Sequence, residues 1–289
     1  MTVTAADLPG VFVRQDKEQV WGVCHGATDG NPIYNVCKDR APVSWRFHVN
    51  VAEYYDENTK RFLGSGAGRG EDAIHRPVWA PEIVATRSEA IHFVDEAVLG
   101  RIAETEAKGV LDLGCGVGGT ISYMRNRVAA EFLGITISSV QQRMGALRLA
   151  GLKNTRIACG DMADPTVLLP ARESLPSPTV AFCIESFLHV PDGLQFLEDL
   201  ANALRPGDTL CVCDDFLIPG DLSGSAARTV RAFQEGWHAP SLLTADSVVE
   251  AARDCGLEQT INDDLTQFLR LGQTKNLAIR GLVLLLSPF

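Results

Sequence analysis

The chain is 289 residues long, 46% hydrophobic, 21% charged and 7% aromatic; that is ample apolar material for a core and excludes a disordered chain. Twenty-six Lys and Arg against 36 Asp and Glu leave a formal charge of −10, which repels phosphate backbones and anionic lipid and sets nucleic acid and membrane aside as partners. At about 150 residues per domain, the length fits roughly two domains, or one α/β domain with an added segment.

Residues 1–20 carry no basic stretch followed by an apolar core and a small-residue cleavage site, and no apolar run nears the roughly 20 residues of a spanning helix. The eight cysteines are dispersed and form no CxxC pair, which argues against a disulfide framework or zinc knuckle and for a soluble, cytoplasmic protein. Residues 1–105 read as a mainly helical cap that admits substrate: up to Val49 they show no period, and 64–70 is a glycine tract. Thr86 or Ser88 is a candidate N-cap for a helix through 88–94.

From Lys108 the pattern is regular, with strands over 110–113, 132–137, 156–159, 179–184 and 209–216. A tight turn falls at 114–119, and helices at 120–128, 138–150 and 194–204. Strands alternating with such helices predict an α/β, doubly wound, mostly parallel sheet covered on both faces. Cys211 and Cys213 share one face of the fifth of these strands and read as buried small hydrophobes. Residues 219–225 break the pattern, and 228–243 form an insertion before a helix at 245–255. Placed after the fifth strand, the stretch 217–243 is expected as a lid over the ligand crevice. The sheet is expected to close with an antiparallel hairpin, its first arm at 257–264 and its second at 281–289, with helix or loop over 265–280.

The strongest local signal is Leu111-Asp112-Leu113-Gly114-Cys115-Gly116-Val117-Gly118-Gly119. Glycines let a strand turn sharply into a helix and let backbone approach a ligand; such a pattern alone could serve a dinucleotide or merely pack a helix on a strand. Asp112, inside the strand, would gain nothing beside a pyrophosphate and suits a cationic ligand group. The segment resembles motif I of the class I S-adenosylmethionine-dependent methyltransferases, Rossmann-like enzymes. Further likenesses follow in order. Gly134-Ile135-Thr136-Ile137-Ser138-Ser139-Val140-Gln141 resembles a run of the branch that includes sterol, tocopherol and prenyl-diphosphate methyltransferases; Gly160-Asp161-Met162 resembles the acid and apolar pair that reads adenine; 184–192 resembles the segment between donor and acceptor; and 204–208 resembles the turn before the fifth strand.

The resemblance implies S-adenosylmethionine as donor, S-adenosylhomocysteine as product, and a sheet domain spanning 106–289. It makes Asp112, Gly114, Gly116, Gly118, Thr136, Ser138, Gln141, Asp161, Met162 and Glu185 donor-binding positions. Many class I enzymes carry a ribose-gripping acid where this chain has Thr136; Ser138 and Gln141 are expected to help hold the ribose instead. In the cap, Tyr54-Tyr55-Asp56 followed by 74–79 resembles that branch's segment lying across the donor, with Pro77 and Val78 departing from it.

A sulfonium methyl is already activated, so the protein mainly aligns the acceptor and excludes water. The base therefore reports on the acceptor. Glu185 occupies the position that carries a carboxylate in the alkene-methylating relatives, where it stabilises a carbocation and takes a proton; His189 suits a phenol or amine, its ordinary pKa lying near about 6.5. The acceptor walls are expected from Tyr54, Tyr55, His75, Trp79, Phe187, Phe233, Trp237 and His238. Arg76, Arg228 and Arg231 are candidate anion partners. No Asp, Glu or His spacing suits a metal, and the adjacent acids Asp214-Asp215 and Asp263-Asp264 read as turn or strand-end residues. Magnesium enters only if the acceptor is a diphosphate.

The leading expectation is C-methylation of an alkene or isoprenoid carbon in a small, largely apolar natural product. The alternatives are an O- or N-methyltransferase of a phenolic or amine metabolite, and a donor-binding protein that templates a cyclisation without methyl transfer. A small-molecule acceptor and a homo-oligomer complete the expectations.

Overall fold

The structure, a computed structural model, describes residues 23–24, 50–66, 70–80, 83–218, 220 and 223–270. It begins with a short strand β1 (Val23–Cys24) and the cap helix α1 (Val51–Ser65), followed by α2 (Arg87–Ile91) and α3 (Phe93–Glu104). The alternating core then runs β2 (Gly109–Leu113), α4 (Gly119–Met124), β3 (Glu131–Thr136), α5 (Ser139–Arg148), β4 (Thr155–Cys159), α6 (Pro165–Glu173), β5 (Thr179–Ile184), α7 (Gly193–Ala203) and β6 (Thr209–Cys213). Helix α8 (Gly224–Trp237), in the segment expected as a lid, then α9 (Ala245–Asp254) and β7 (Leu257–Glu258), complete the set.

Helix starts follow side-chain chemistry. Thr86 and Glu89 form a reciprocal capping box ahead of α2, Asp164 caps α6 with Pro165 in its first turn, and Asp192 accepts from Leu194 and Gln195 at the start of α7.

Strands lie in the order β4-β3-β2-β5-β6-β1-β7, the first five parallel and β1 antiparallel to both β6 and β7. The chain builds outward from β2 through β3 to β4, then returns to place β5 and β6 on the other side. The order thus reverses between β2 and β5, where open α/β sheets bind ligands at the strands' carboxyl ends.

Alternation along β2 divides the core. Leu111 and Leu113 face a layer containing Leu168 of α6, Phe196 and Leu200 of α7 and Val248 of α9. Val110 faces Val98 and Ile102 of α3 and Ile121 and Met124 of α4. By the same alternation Asp112 points toward the α3 and α4 side, an acid in a dry layer.

Several expectations are corrected. The helix after the glycine turn stops at Met124, not 128, and β6 ends at Cys213, which frees Asp214 and Asp215 from the ladder. The stretch 228–243 lies partly in a regular helix, α8. Helix α6, hidden in sequence by Pro165 and Pro170, was not foreseen. The arm expected over 257–264 is a two-residue strand, and the place beside β6 is taken by β1 from the amino-terminal region. The second arm at 281–289 and most of residues 1–49 lie outside the described residues. Among those described, no helix is long and apolar enough to cross a membrane.

Candidate functional site

The glycine turn leaves β2 at the switch point. Gly114 has φ +94° and lies so close to Ser186 after β5 that a Cβ would collide with that side chain; Ser186 Oγ donates to the Leu113 carbonyl at 2.6 Å. At Gly116, φ +53°, a Cβ would stand in the gap between the turn and the cap, meeting only Ile74 Cδ1 at 3.7 Å. Gly118 closes the turn as the left-handed cap of α4. Asp112 is 4% exposed, and its Oδ2 is buried with no hydrogen-bond partner among the described residues. Burial, reinforced by the Asp95 charge, pushes its carboxyl well above the usual range. A buried acid with an unpaired oxygen, on the strand that leads into a glycine turn, suits the ammonium at the methionine end of the expected donor.

Thr136, Ser138 and Gln141 come together where β3 meets α5, all buried. Thr136 donates to Gln141 Oε1 at 2.7 Å, and Ser138 Oγ accepts from the Gln141 N–H at 3.1 Å. Sequence reasoning gave no role to Asp56, yet this α1 carboxylate accepts from Ser138 Oγ, from Ser139 Oγ at 3.2 Å and from the Val140 N–H at 3.1 Å. These bonds hold it below its ordinary pKa and anchor the cap on the amino terminus of α5. Its signal was the Tyr54-Tyr55-Asp56 run. Just after the next strand, β4, Asp161 accepts from the Ala163 N–H at 2.9 Å and Met162 is buried.

At the end of β5, Glu185 adopts φ 49°, a left-handed conformation that a non-glycine residue keeps only when its surroundings enforce it. Its Oε1 accepts from the Arg76 N–H at 2.9 Å and from Arg76 Nε at 3.0 Å. Arg76 Nη2 reaches Asp215 Oδ1 at 2.7 Å. Arg76, expected as an acceptor's anion partner, is therefore committed to two carboxylates of the sheet domain. Asp214 accepts from the Leu188 and Asp215 N–H groups. Burial pushes its carboxyl up to about 7, overcoming those hydrogen bonds.

His189 closes the 3₁₀ turn Phe187–His189. Its Nδ1 lies 3.1 Å from the His238 carbonyl and its Nε2 2.7 Å from the Tyr55 hydroxyl. A carbonyl can only accept, so Nδ1 carries the proton; in the neutral ring Nε2 is then the acceptor and Tyr55 the donor. Burial lowers the His189 pKa and raises that of Tyr55, so both remain neutral around pH 7. Tyr54 meets the His238 ring edge-on at 4.4 Å. Cap, β5 turn and lid thus converge on one imidazole.

The remaining expected wall residues divide. Phe233 and Trp237 lie on α8, with Trp237 50% exposed, and Arg228 and Arg231 are exposed on the same helix. Phe187 is turned into the core against Phe196. Trp79 packs under Arg270, with its backbone N–H on the Phe268 carbonyl, and His75 is buried next to Asp95. These three stand apart from the convergence at His189. Among the described residues no three His, Cys, Asp or Glu side chains form a group that could hold a metal, so a magnesium ion finds no prepared set of protein ligands. Burial pushes the Cys211 thiol up to about 12 and raises Cys115, Cys183 and Cys213 as well, which makes them unreactive core groups.

Residues 47–260 match the family described as "Methyltransferase domain". The chain is 27% identical over 227 residues to "Methyltransferase GfsG" of Streptomyces halstedii, covering 78% of each. It is 28% identical over 207 residues to "27-O-demethylrifamycin SV methyltransferase" of Amycolatopsis mediterranei, covering 70% of this chain and 72% of that one. In fold it is similar to the [4+2]-cyclase SpnF, with a TM-score of 0.57, 24% identity and 76% of each chain covered.

Proposed function

Because the chain belongs to the methyltransferase-domain family, we propose that this S-adenosylmethionine-dependent enzyme methylates a hydroxyl oxygen on a small, largely apolar natural product. That it transfers methyl groups from S-adenosylmethionine to small molecules of natural-product type follows from the family and its named relatives. The oxygen as target rests chiefly on His189. Its Nδ1–H is fixed on the His238 carbonyl, which leaves the Nε2 lone pair facing Tyr55. An alkene takes the methyl without losing a proton first, and only the carbocation formed afterwards needs a base, whereas a hydroxyl must lose a proton as its oxygen is methylated. The relative whose name specifies a 27-O-demethyl compound supports the same reading.

When bound, S-adenosylmethionine supplies a methyl group on a positively charged sulfur. The chain's own residues do the rest. Gly116 leaves room for its methionine part, Gly114 and Gly118 hold the turn close against Ser186 and Ile157, and Asp112 offers the unpaired oxygen for its ammonium. Thr136, Ser138 and Gln141 are assigned to the ribose edge, and Asp161 and Met162 to the adenine. Arg76 and Glu185 tie the cap to the end of β5 and keep water out. As the acceptor oxygen takes the methyl, its proton passes to the Tyr55 oxygen while the Tyr55 proton moves to His189 Nε2. The products are a methyl ether, S-adenosylhomocysteine and an imidazolium that later sheds its proton to solvent. Tyr54, Phe233, Trp237 and His238 are assigned to the acceptor wall.

A second reading, C-methylation of an alkene, rests on Glu185, whose left-handed backbone holds a carboxylate at the crevice. It is the weaker, since Arg76 already neutralises that carboxylate. A panel of hydroxylated and olefinic acceptors with isotope-labelled donor separates the two. Label on oxygen, abolished in His189→Ala, supports the first; label on carbon, retained in His189→Ala and lost in Glu185→Gln, overturns it.

A further inference from the structure

Near the glycine turn lie two buried polar atoms without a hydrogen-bond partner among the described residues, Asp112 Oδ2 and His75 Nε2. The two residues are 4% and 8% exposed, and such orphaned groups are costly to bury unless a ligand meets them. Both adjoin one carboxylate. Asp95 Oδ1 lies 3.9 Å from His75 Nε2, and the Asp95 charge acts on Asp112. Asp95 is fixed by Thr120 Oγ1 at 2.9 Å and His92 Nδ1 at 2.6 Å, and His92 Nε2 faces Glu71 at 3.5 Å. The residues flanking His75 cover the turn: Ile74 faces Gly116, and the Asp72 carbonyl faces Gly119.

We propose that His75 is a donor-positioning residue that takes the α-carboxylate of the donor's methionine end while Asp112 takes its α-ammonium. The proposal rests on the donor reading above and moves His75 from the acceptor wall to the donor site. An orphaned imidazole and an orphaned carboxyl flanking one buried acid complement a zwitterion; a neutral or singly charged ligand satisfies one of them only. His75 donates from Nε2 to the carboxylate, with Asp95 Oδ1 3.9 Å from the same nitrogen and His92 holding Asp95 in place. Burial and Asp95 push the Asp112 carboxyl upward, and an arriving ammonium reverses that by restoring a partner for its charge.

Calorimetric titration of the full chain with S-adenosylhomocysteine and with 5′-methylthioadenosine tests this, because the second ligand lacks the amino-acid end. In His75→Ala and in the similarly sized His75→Gln, affinity for S-adenosylhomocysteine is expected to fall about tenfold or more, with 5′-methylthioadenosine bound as in the wild type. Unchanged affinity for S-adenosylhomocysteine, or an equal loss for both ligands, overturns the proposal. A wild-type chain that binds neither ligand overturns the donor reading itself, and the proposal with it.

Discussion

The floor of the crevice, where β2 and β5 end, and its roof, made by α1 and α8, differ in how they are held. Every residue of β2 is buried, and the floor packs into two apolar layers. In the roof, α1 buries only Thr59 and α8 buries no residue. The roof is held down by polar contacts at a few points: Asp56 on α5, Tyr55 on His189 and Arg76 on Glu185. Packed apolar surface is cooperative and intolerant of change, while isolated polar contacts break singly at modest cost. On the proposed reading, the donor residues sit on the part of the molecule least able to vary, and the acceptor wall on the part held by contacts that break singly.

The sharpest division of floor from roof is expected at His189. His189→Ala should lower turnover by about two to four powers of ten while leaving S-adenosylhomocysteine affinity unchanged by calorimetry. A parallel loss of donor affinity would mean that the two regions are one unit. Breaking the floor should instead cost stability. Arg172 and Asp208 are fully buried partners joined at 2.6 and 2.8 Å, and Asp208 also accepts from the Thr179 and Arg205 N–H groups. Arg172→Met leaves that carboxylate buried without its countercharge, and urea denaturation should show a loss of about 3–5 kcal/mol.

Smaller effects belong to the roof. Tyr55→Phe removes the hydroxyl that relays the acceptor's proton to His189 and should reduce kcat/KM about a hundredfold, with the methylated atom unchanged. The pH profile refines this. Burial lowers the His189 pKa, so the imidazole stays a base until pH falls below its ordinary value; the acid limb of kcat/KM should lie below about pH 6.5. A limb above that value would assign the titration to another group. Asp214 bears on stability with the opposite slope. Its carboxyl is raised to about 7, so the folded chain binds a proton that the unfolded chain has lost, and this contribution disappears as pH rises from about 4 to about 7. Asp214→Asn should flatten that part of the stability profile. The smallest change is expected from Asp56→Ala, which removes a solvent-open anchor worth under about 1 kcal/mol. Hydrogen exchange should quicken over 51–65 and remain slow in β2 and β5.

The amino-acid sequence by itself determined the alternating core and the donor turn, because both are local. Periods of two and 3.6 register in neighbouring residues, and a strand that must bend at once into a helix needs glycines at fixed spacing, as at Gly114, Gly116 and Gly118. The span of β5 could be read to the residue, bounded by Pro178 and by the polar Glu185-Ser186. Helix α6 was obscured by its two prolines, one of which is only a first-turn residue. What the tertiary structure alone decided are contacts between distant segments. Tyr55 meets His189 across 134 positions, Arg76 meets Glu185 across 109 and Asp56 meets Ser138 across 82. No periodicity encodes such pairings; they follow from where the cap is laid over the reversal between β2 and β5. That placement commits Arg76 to the protein's own carboxylates, fixes the tautomer of His189 through a carbonyl of the lid, and sets His75 beside Asp95 under the donor turn.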